Sequence, residues 1–158
     1  MLRYLLILVL AVGSAALAAR AVANLDAGRR AAREPIAAVA RIPRAEDGHY
    51  WANGDISGQT VRFLVDTGAT TVSLTPADAR HIGLDPAAMR YDKEVITARG
   101  RAKAAPVTLG SLAVAGARVE NVEALVIRDG LEASLLGMSY LGRLKRFEIS
   151  ASTLVLEP

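Results

Sequence analysis

Hydrophobic and polar positions divide the chain near residue 35 into two parts. Tyr4–Ala19 is an unbroken apolar run, and Ala21–Leu25 extends it more weakly. From Ile36 onward, short apolar segments alternate with turn signals such as Ser57-Gly58. Closely spaced short strands of this kind are typical of a small β-barrel or sandwich. The pattern predicts an apolar N-terminal segment followed by one all-β domain.

Most elements of the second part are predicted to be strands. A short helix is expected to begin at Pro76 and end at Gly83, because Thr75 can cap it and proline is favoured at the first helical position. A hairpin is expected over residues 95–103. Gly110 and Gly116 are interpreted as breaks between strands. The predicted strands are 36–42, 49–56, 60–66, 71–74, 107–109, 112–114, 117–127, 145–149 and 153–156.

Composition and charge narrow the chemistry. The 158 residues include no cysteine, which excludes disulfides and thiolate catalysis. The two histidines lack metal-ligand spacing, so no metal and no cofactor are expected. Residues 1–44 carry seven Lys/Arg against two Asp/Glu, a net charge of +5, whereas residues 45–158 carry twelve against fourteen, a net charge of −2. Because the excess of positive charge lies in the N-terminal segment and the folded domain is near neutral, nucleic-acid binding is rejected as the main function.

The most informative stretch is Phe63–Val65 with the polar residues that follow it. The apolar run is expected to be a buried strand that leaves Asp66 at its end, where a carboxylate is costly unless it has donors or a partner charge. Gly68 permits a tight turn, so main-chain N–H groups can point back at the carboxylate. The Thr67 hydroxyl can join the same network.

This stretch, Phe63-Leu64-Val65-Asp66-Thr67-Gly68-Ala69-Thr70, resembles the Asp-Thr-Gly signature of the retropepsin-like aspartic proteases, in particular a bacterial membrane-anchored branch of them. The alternative is an aspartate that only closes a turn, but the apolar run, Ala69 and a second motif favour the protease. The resemblance covers roughly residues 48–156. It implies a retropepsin-like closed β-barrel half-domain, a single aspartic-protease lobe, with one or two short helices. It also implies that Asp66 is catalytic and that Thr67, Gly68 and Ala69 support it.

The second motif lies about 70 residues downstream. Leu135 and Leu136 precede Gly137, and a short helix is expected after it. These residues resemble the hydrophobic-hydrophobic-Gly element of the family, a strand that crosses the active-site strand and braces its loop. The alternative is an ordinary core strand.

The resemblance also assigns a role to the hairpin. Thr97, Ala98, Arg99 and Gly100 would form the tip of a flap over the substrate. The alternative is an ordinary exposed hairpin.

The chemistry implied by the resemblance needs two adjacent carboxylates that share one proton. Because the sequence has one Asp-Thr-Gly, a homodimer is expected to complete an aspartic endopeptidase that acts on a peptide or protein. Thr70 and Thr71 replace the acids that brace the dimer in retroviral enzymes, which predicts a weak interface. The alternative function is a non-catalytic, membrane-tethered peptide-binding module on the same scaffold.

The resemblance also favours a membrane anchor. About 20 helical residues span a bilayer core of roughly 30 Å, so residues 1–25 are interpreted as a transmembrane signal anchor, residues 26–35 as a linker and residues 36–158 as the protease domain. A cleaved signal peptide is the alternative, since Ala16-Leu17-Ala18 fits a cleavage site. A single-pass protein of the bacterial inner membrane with its domain in the periplasm is expected. The arginines after the apolar run argue instead for a cytoplasmic domain.

Overall fold

A computed structural model describes residues 39–158. The predicted anchor and linker lie outside these residues. No helix within 39–158 is long and apolar enough to cross a membrane. The described part contains the strands β1 (Ala40–Pro43), β2 (Trp51–Ile56), β3 (Gln59–Val65), β4 (Val72–Leu74), β5 (Lys93–Thr97), β6 (Gly100–Val114), β7 (Ala117–Ile127), β8 (Ser134–Leu136), β9 (Arg146–Ile149) and β10 (Thr153–Glu157), and the helices α1 (Pro76–His81) and α2 (Met138–Leu141).

Six strands close into a barrel. Their order is β2-β3-β8-β4-β7-β6, and β6 pairs back onto β2 through Gly54↔Val114 and Asp55↔Ala113. Among the described strands, β5 pairs with β6 alone. The two strands form a hairpin that extends from the barrel. The predicted all-β barrel with two short helices is confirmed.

The β6–β7 hairpin forms the longest ladder of the barrel. It turns at Ala115 and Gly116, which have φ of +49° and +90°. Most residues disfavour this left-handed conformation, and the glycine at 116 adopts it readily. Alternate residues then face inward, and Leu112, Val114 and Ala117 are fully buried. Burying one such large aliphatic side chain contributes about 1.5–3 kcal/mol.

The prediction that Gly110 separates two strands is wrong. Strand β6 runs unbroken for 15 residues, and its ladder with β7 continues on both sides of the glycine, through Leu109↔Val122 and Ser111↔Glu120. Gly110 does not have a positive φ, so it sits in the strand without a turn. The partner strand, which is distant from Gly110 in sequence, decides the conformation here.

Helix α2 packs beneath this hairpin through Tyr140. The ring is fully buried, and the hydroxyl donates a hydrogen bond to the main-chain carbonyl of Ala117 at 2.7 Å. Burial raises the pKa of Tyr140 to about 12, so the hydroxyl remains protonated and continues to donate.

A second sheet has the order β1-β10-β9. Leu154 and Leu156 of β10 are fully buried and belong to the same core as the barrel. Tyr50 connects this sheet to strand β3. Its carbonyl accepts a hydrogen bond from the N–H of Val65 at 2.9 Å, and its hydroxyl donates to the carbonyl of Ser150.

Strand β8 passes between β3 and β4. It runs parallel to β3, with Val65 opposite Leu136, and antiparallel to β4, with Ser73 opposite Leu135. Gly137 follows in a very tight passage. A Cβ atom there would lie 2.3 Å from the carbonyl oxygen of Thr71, a distance that a real Cβ does not adopt. Only glycine fits without a backbone shift.

Gly137→Ala is therefore expected to destabilise the protein by about 3 kcal/mol or more, since an overpacked core normally costs 1–3 kcal/mol and here the colliding atoms are main chain. The free energy of unfolding of the purified protein in urea measures this. Gly110→Ala is the matched control, because a Cβ at Gly110 meets open space. Equal midpoints for the two variants would show that the passage around residue 137 has room.

Candidate active site

Asp66 follows the last residue of β3 and is partly buried. Its carboxylate accepts a hydrogen bond from the N–H of Gly68 at 2.8 Å. The Ala69 N–H points at the Asp66 main-chain carbonyl at 3.3 Å, which closes the loop. A charge-assisted bond from the main chain fixes the orientation of this carboxylate. Thr67, at the tip, is exposed.

The chain segment after β8 holds the Asp66 loop from the other side. The N–H of Asp66 donates to the carbonyl of Leu136 at 3.2 Å. The N–H groups of Met138 and Ser139 donate to the carbonyls of Ala69 and Thr70 at 2.8 and 3.0 Å. The predicted brace residues thus lie directly against the predicted catalytic loop.

Two serines that the sequence did not single out secure this crossing. The Ser139 hydroxyl accepts from the N–H of Val72 at 2.9 Å and donates to the carbonyl of Glu123 at 2.7 Å. The Ser134 hydroxyl, fully buried, accepts from the N–H of Thr75 at 3.1 Å and donates to the Asp78 carboxylate at 2.5 Å. A motif pattern does not reveal these roles, because the partners of each serine come from other elements.

A groove of about 1020 Å³ opens beside Asp66. Leu64 and Leu135 contribute apolar surface to it, and the β5–β6 hairpin and the loop 130–133 line it as well. Of the predicted site residues, those that line the groove are Asp66, Gly68, Ala69, Thr97, Ala98, Arg99 and Leu135. The others, Thr67, Gly100, Leu136 and Gly137, are not part of its lining.

The hairpin tip has an ordered turn. Gly100 has a φ of +107°, and the Thr97 hydroxyl donates to the Gly100 carbonyl at 2.9 Å and accepts from the N–H of Arg99 at 3.2 Å. Arg99 forms an ion pair with Glu132 of the loop after β7. The tip therefore contacts the loop 130–133 of its own chain.

Two further positively charged residues of the β5–β6 hairpin also form ion pairs. Arg101 and Lys103 both form ion pairs with Glu94 on the neighbouring strand β5. Two carboxylates therefore offset part of the charge of three cations, and of these residues Arg99, Glu94 and Glu132 line the groove, so the hairpin does not give it a basic wall.

Asp47, His49 and Trp51 are among the groove residues that the sequence analysis did not single out. The indole N–H of Trp51 donates to Asp47 at 2.7 Å, and His49 lies between them in sequence. Trp51 is paired with Leu64 across β2 and β3, two residues before Asp66. Sequence spacing did not reveal this group, because residues 46–49 form a turn with Gly48 at a φ of +82°, where the two-residue alternation of an extended strand does not apply.

Residues 52–143 match the family model described as gag-polyprotein putative aspartyl protease. Over 115 residues the chain is 39% identical to an uncharacterised protein of Rickettsia prowazekii, which covers 73% of this chain and 49% of that protein. The crystal structure of a retropepsin-like aspartic protease from Rickettsia conorii superimposes with a TM-score of 0.69 at 39% identity, covering 75% of this chain and 98% of that one. The chain belongs to the retropepsin-like aspartic protease family.

Two further similarities agree with this membership. An uncharacterised Sinorhizobium protein is 40% identical over 111 residues, or 70% of this retropepsin-like chain and 48% of the relative. The chain spans about half the length of the curated relatives it matches. The EIAV protease, solved with the inhibitor HBY-793, shares the fold at a TM-score of 0.51 and 18% identity, over 61% of this chain and 88% of that one.

The contact between the tip of the β5–β6 hairpin and the loop 130–133 predicts that breaking it makes the tip more mobile. Because the side chains of Arg99 and Glu132 are 61% and 74% exposed, water screens their attraction, and such pairs contribute about 0.2–1 kcal/mol. Arg99→Glu is expected to raise hydrogen exchange of the amides of residues 97–101 up to about fivefold. The double variant Arg99→Glu/Glu132→Arg should restore the slower exchange, since it reverses the pair. Exchange that is unchanged in the single variant would show that the pair does not hold the tip.

Proposed function

We propose that this chain is an aspartic endopeptidase that hydrolyses peptide bonds with a water activated by two Asp66 carboxylates, one from each chain of a homodimer. The observation that supports it best is the position of Asp66: a loop braced by main-chain hydrogen bonds holds its carboxylate at the edge of a groove of about 1020 Å³. Catalytic groups act effectively when they are held in place before the substrate binds.

In the proposed reaction the two carboxylates share one proton, since two like charges a few ångströms apart do not both ionise easily. The ionised Asp66 takes a proton from a water molecule lying between the two groups. The protonated one donates to the scissile carbonyl, and the addition of water gives a tetrahedral diol. The Gly68 N–H, which donates to Asp66, keeps one carboxylate oxygen oriented throughout.

The homodimer follows from the number of carboxylates that the chemistry needs. The chain has one Asp-Thr-Gly, at residues 66–68. Thr67 and Thr70 are exposed in the single chain, which leaves this end of the site accessible to a second copy. A symmetric dimer brings the same loop together with itself. Thr67 would then donate a hydrogen bond across the two-fold axis.

A peptide is the substrate that the groove suits. Leu64 and Leu135 offer apolar contacts, and Ile96 of the hairpin is 85% exposed in the single chain although it lines the groove. An extended peptide would cover this side chain. Residues 97–100 would then act as the flap above the bound segment.

Asp66→Asn is expected to lower peptide cleavage by about 10²–10⁴-fold, because the variant removes the proton-carrying group from the dyad. The amide oxygen can still accept from Gly68, so the fold should persist. Cleavage of a peptide library from acidic to neutral pH is the measurement. Asp129→Asn, which makes the same change at an exposed aspartate that does not line the groove, is the matched control. Wild-type activity in Asp66→Asn would contradict the mechanism, and peptide binding without any cleavage by the wild type would favour the binding module.

Mixing the same two chains tests the dimer. With free subunit exchange and no pairing preference, an equal mixture of wild type and Asp66→Asn contains about one quarter wild-type homodimers. Since a mixed dimer has one carboxylate, activity per wild-type chain should fall to about half. The mixture must be measured well above the dissociation constant, after exchange has been verified. No loss would mean that one chain carries a complete site.

We also propose, from the apolar run and the resemblance to a membrane-anchored branch of the family, that residues 1–25 anchor the protein in the bacterial inner membrane with its domain in the periplasm. The chain has no cysteine, so Ala27→Cys introduces a unique label site in the predicted linker. A membrane-impermeant thiol reagent is expected to label intact spheroplasts that express this variant. Labelling that requires lysis would assign the domain to the cytoplasm.

A further inference from the structure

Four carboxylates line the groove, and they differ in how their charge is balanced. Glu94 is paired with Arg101 and Lys103. Glu132 is paired with Arg99. Asp66 belongs to the proposed dyad. Of the other three groove carboxylates, Asp47 is the one without an arginine or lysine partner among residues 39–158.

The Asp47 carboxylate is held in a defined orientation. One oxygen accepts from the N–H of His49 at 2.9 Å, and the other accepts from the indole N–H of Trp51 at 2.7 Å. These two donors are neutral, so they orient the carboxylate without cancelling its charge. The main-chain N–H of His49 and then the indole N–H of Trp51 lower the pKa of Asp47, which keeps the group ionised further into the acidic range.

Among the described residues, neither of the two nearby arginines forms an ion pair with Asp47. The Arg44 side chain donates to the carbonyl of Gly48 at 2.7 Å, and the Arg62 guanidinium lies 4.3 Å from the centre of the Trp51 ring. The ion-pair partner that Asp47 has in the described residues is the imidazole of His49, at 3.6 Å, which is charged only when protonated. A carboxylate with free lone pairs therefore lines the groove beside an aromatic ring.

The strand register brings Trp51, which orients this carboxylate, close to the active-site loop. Trp51 lies opposite Leu64, and the hydrogen bond from the Val65 N–H to the Tyr50 carbonyl continues the pairing toward the active-site loop. Asp47 lies in the turn that leads into this paired segment, and Asp47, Trp51 and Asp66 line the same groove.

We infer that Asp47, oriented by Trp51, forms a subsite for a positively charged side chain, so that the preferred substrates are peptides with a lysine or arginine close to the scissile bond. This inference rests on the proposed function for its description of the ligand as a substrate. A bound cationic side chain would gain a charge-assisted contact with Asp47, while the paired state of Glu94 and Glu132 makes those carboxylates poorer partners.

Matched peptides test the inference. In a good cleavage substrate, each position on both sides of the scissile bond is changed in turn to Lys, Gln or Glu. For the wild-type protein, kcat/KM is expected to be about five- to tenfold higher for Lys than for Gln at one position. This is the effect expected when water partly screens the attraction between Asp47 and the lysine. In Asp47→Asn this ratio should fall to about 1. Asp129→Asn, with the same change in net charge outside the groove, should keep the wild-type ratio.

Charge reversal gives a result that misfolding cannot imitate. Asp47→Lys is expected to prefer Glu over Lys at the same position, whereas Asp129→Lys keeps the wild-type order. A Lys preference that survives Asp47→Asn, or its absence in the wild type, would overturn the subsite. An equal loss of activity for all three peptides would overturn it as well, because Asp47 would then shape the groove or the dimer rather than recognise charge.

The failure of the proposed function has a different signature. If the wild-type protein cleaves none of the peptides, fluorescence anisotropy of the labelled Lys, Gln and Glu peptides on the full chain replaces kcat/KM. Tighter binding of the Lys peptide that Asp47→Asn abolishes would retain the subsite in a peptide-binding protein. Equal binding of the three peptides, or no binding at all, would overturn the inference.

Discussion

The site depends on one close approach, the passage of β8 and Gly137 beneath the Asp66 loop. The hydrogen bonds at this crossing contribute only about 0.5–1.5 kcal/mol each. Geometry matters more, because a Cβ at Gly137 would collide with main-chain atoms of Thr71 and Ala69. Those atoms belong to the segment that follows the predicted catalytic residue. The barrel core therefore fixes the position of the Asp66 carboxylate, and the loop sequence alone does not.

The same crossing explains the roles of Ser134, which is buried, and Ser139, which is partly buried. Strand β8 has only three residues, so it cannot offer ladder partners to every main-chain group around it. The hydroxyls of Ser134 and Ser139 accept from the N–H groups of Thr75 and Val72 instead. An unpaired buried donor costs about 1–3 kcal/mol, and no buried side-chain polar atom in residues 39–158 lacks a partner. The brace is thus stabilised by polar contacts from its neighbours.

The sequence predicted those elements whose conformation depends on neighbouring residues in the chain. The run before Asp66, the helix at Pro76 and the order of Leu135, Leu136 and Gly137 place those elements within a few residues of where they lie. The unbroken strand through Gly110 was not predicted, because its conformation is set by pairing with β7. The groove residues Asp47 and Trp51 were missed for a related reason: they come together only after β2 pairs with β3 and the turn at residues 46–49 forms.

The structure also indicates what association has to supply in the proposed mechanism. The bond from the Gly68 N–H to the Asp66 carboxylate and the bond from the Asp66 N–H to the Leu136 carbonyl both form within one chain. Within the described residues, no second Asp-Thr-Gly supplies a further carboxylate. A partner would contribute that carboxylate and the contact at Thr67, but it would not need to build the loop. A weak interface is enough for this task, and tethering both chains to one membrane would raise their effective concentration without any new contact. A preformed half-site and a weak dimer are therefore compatible.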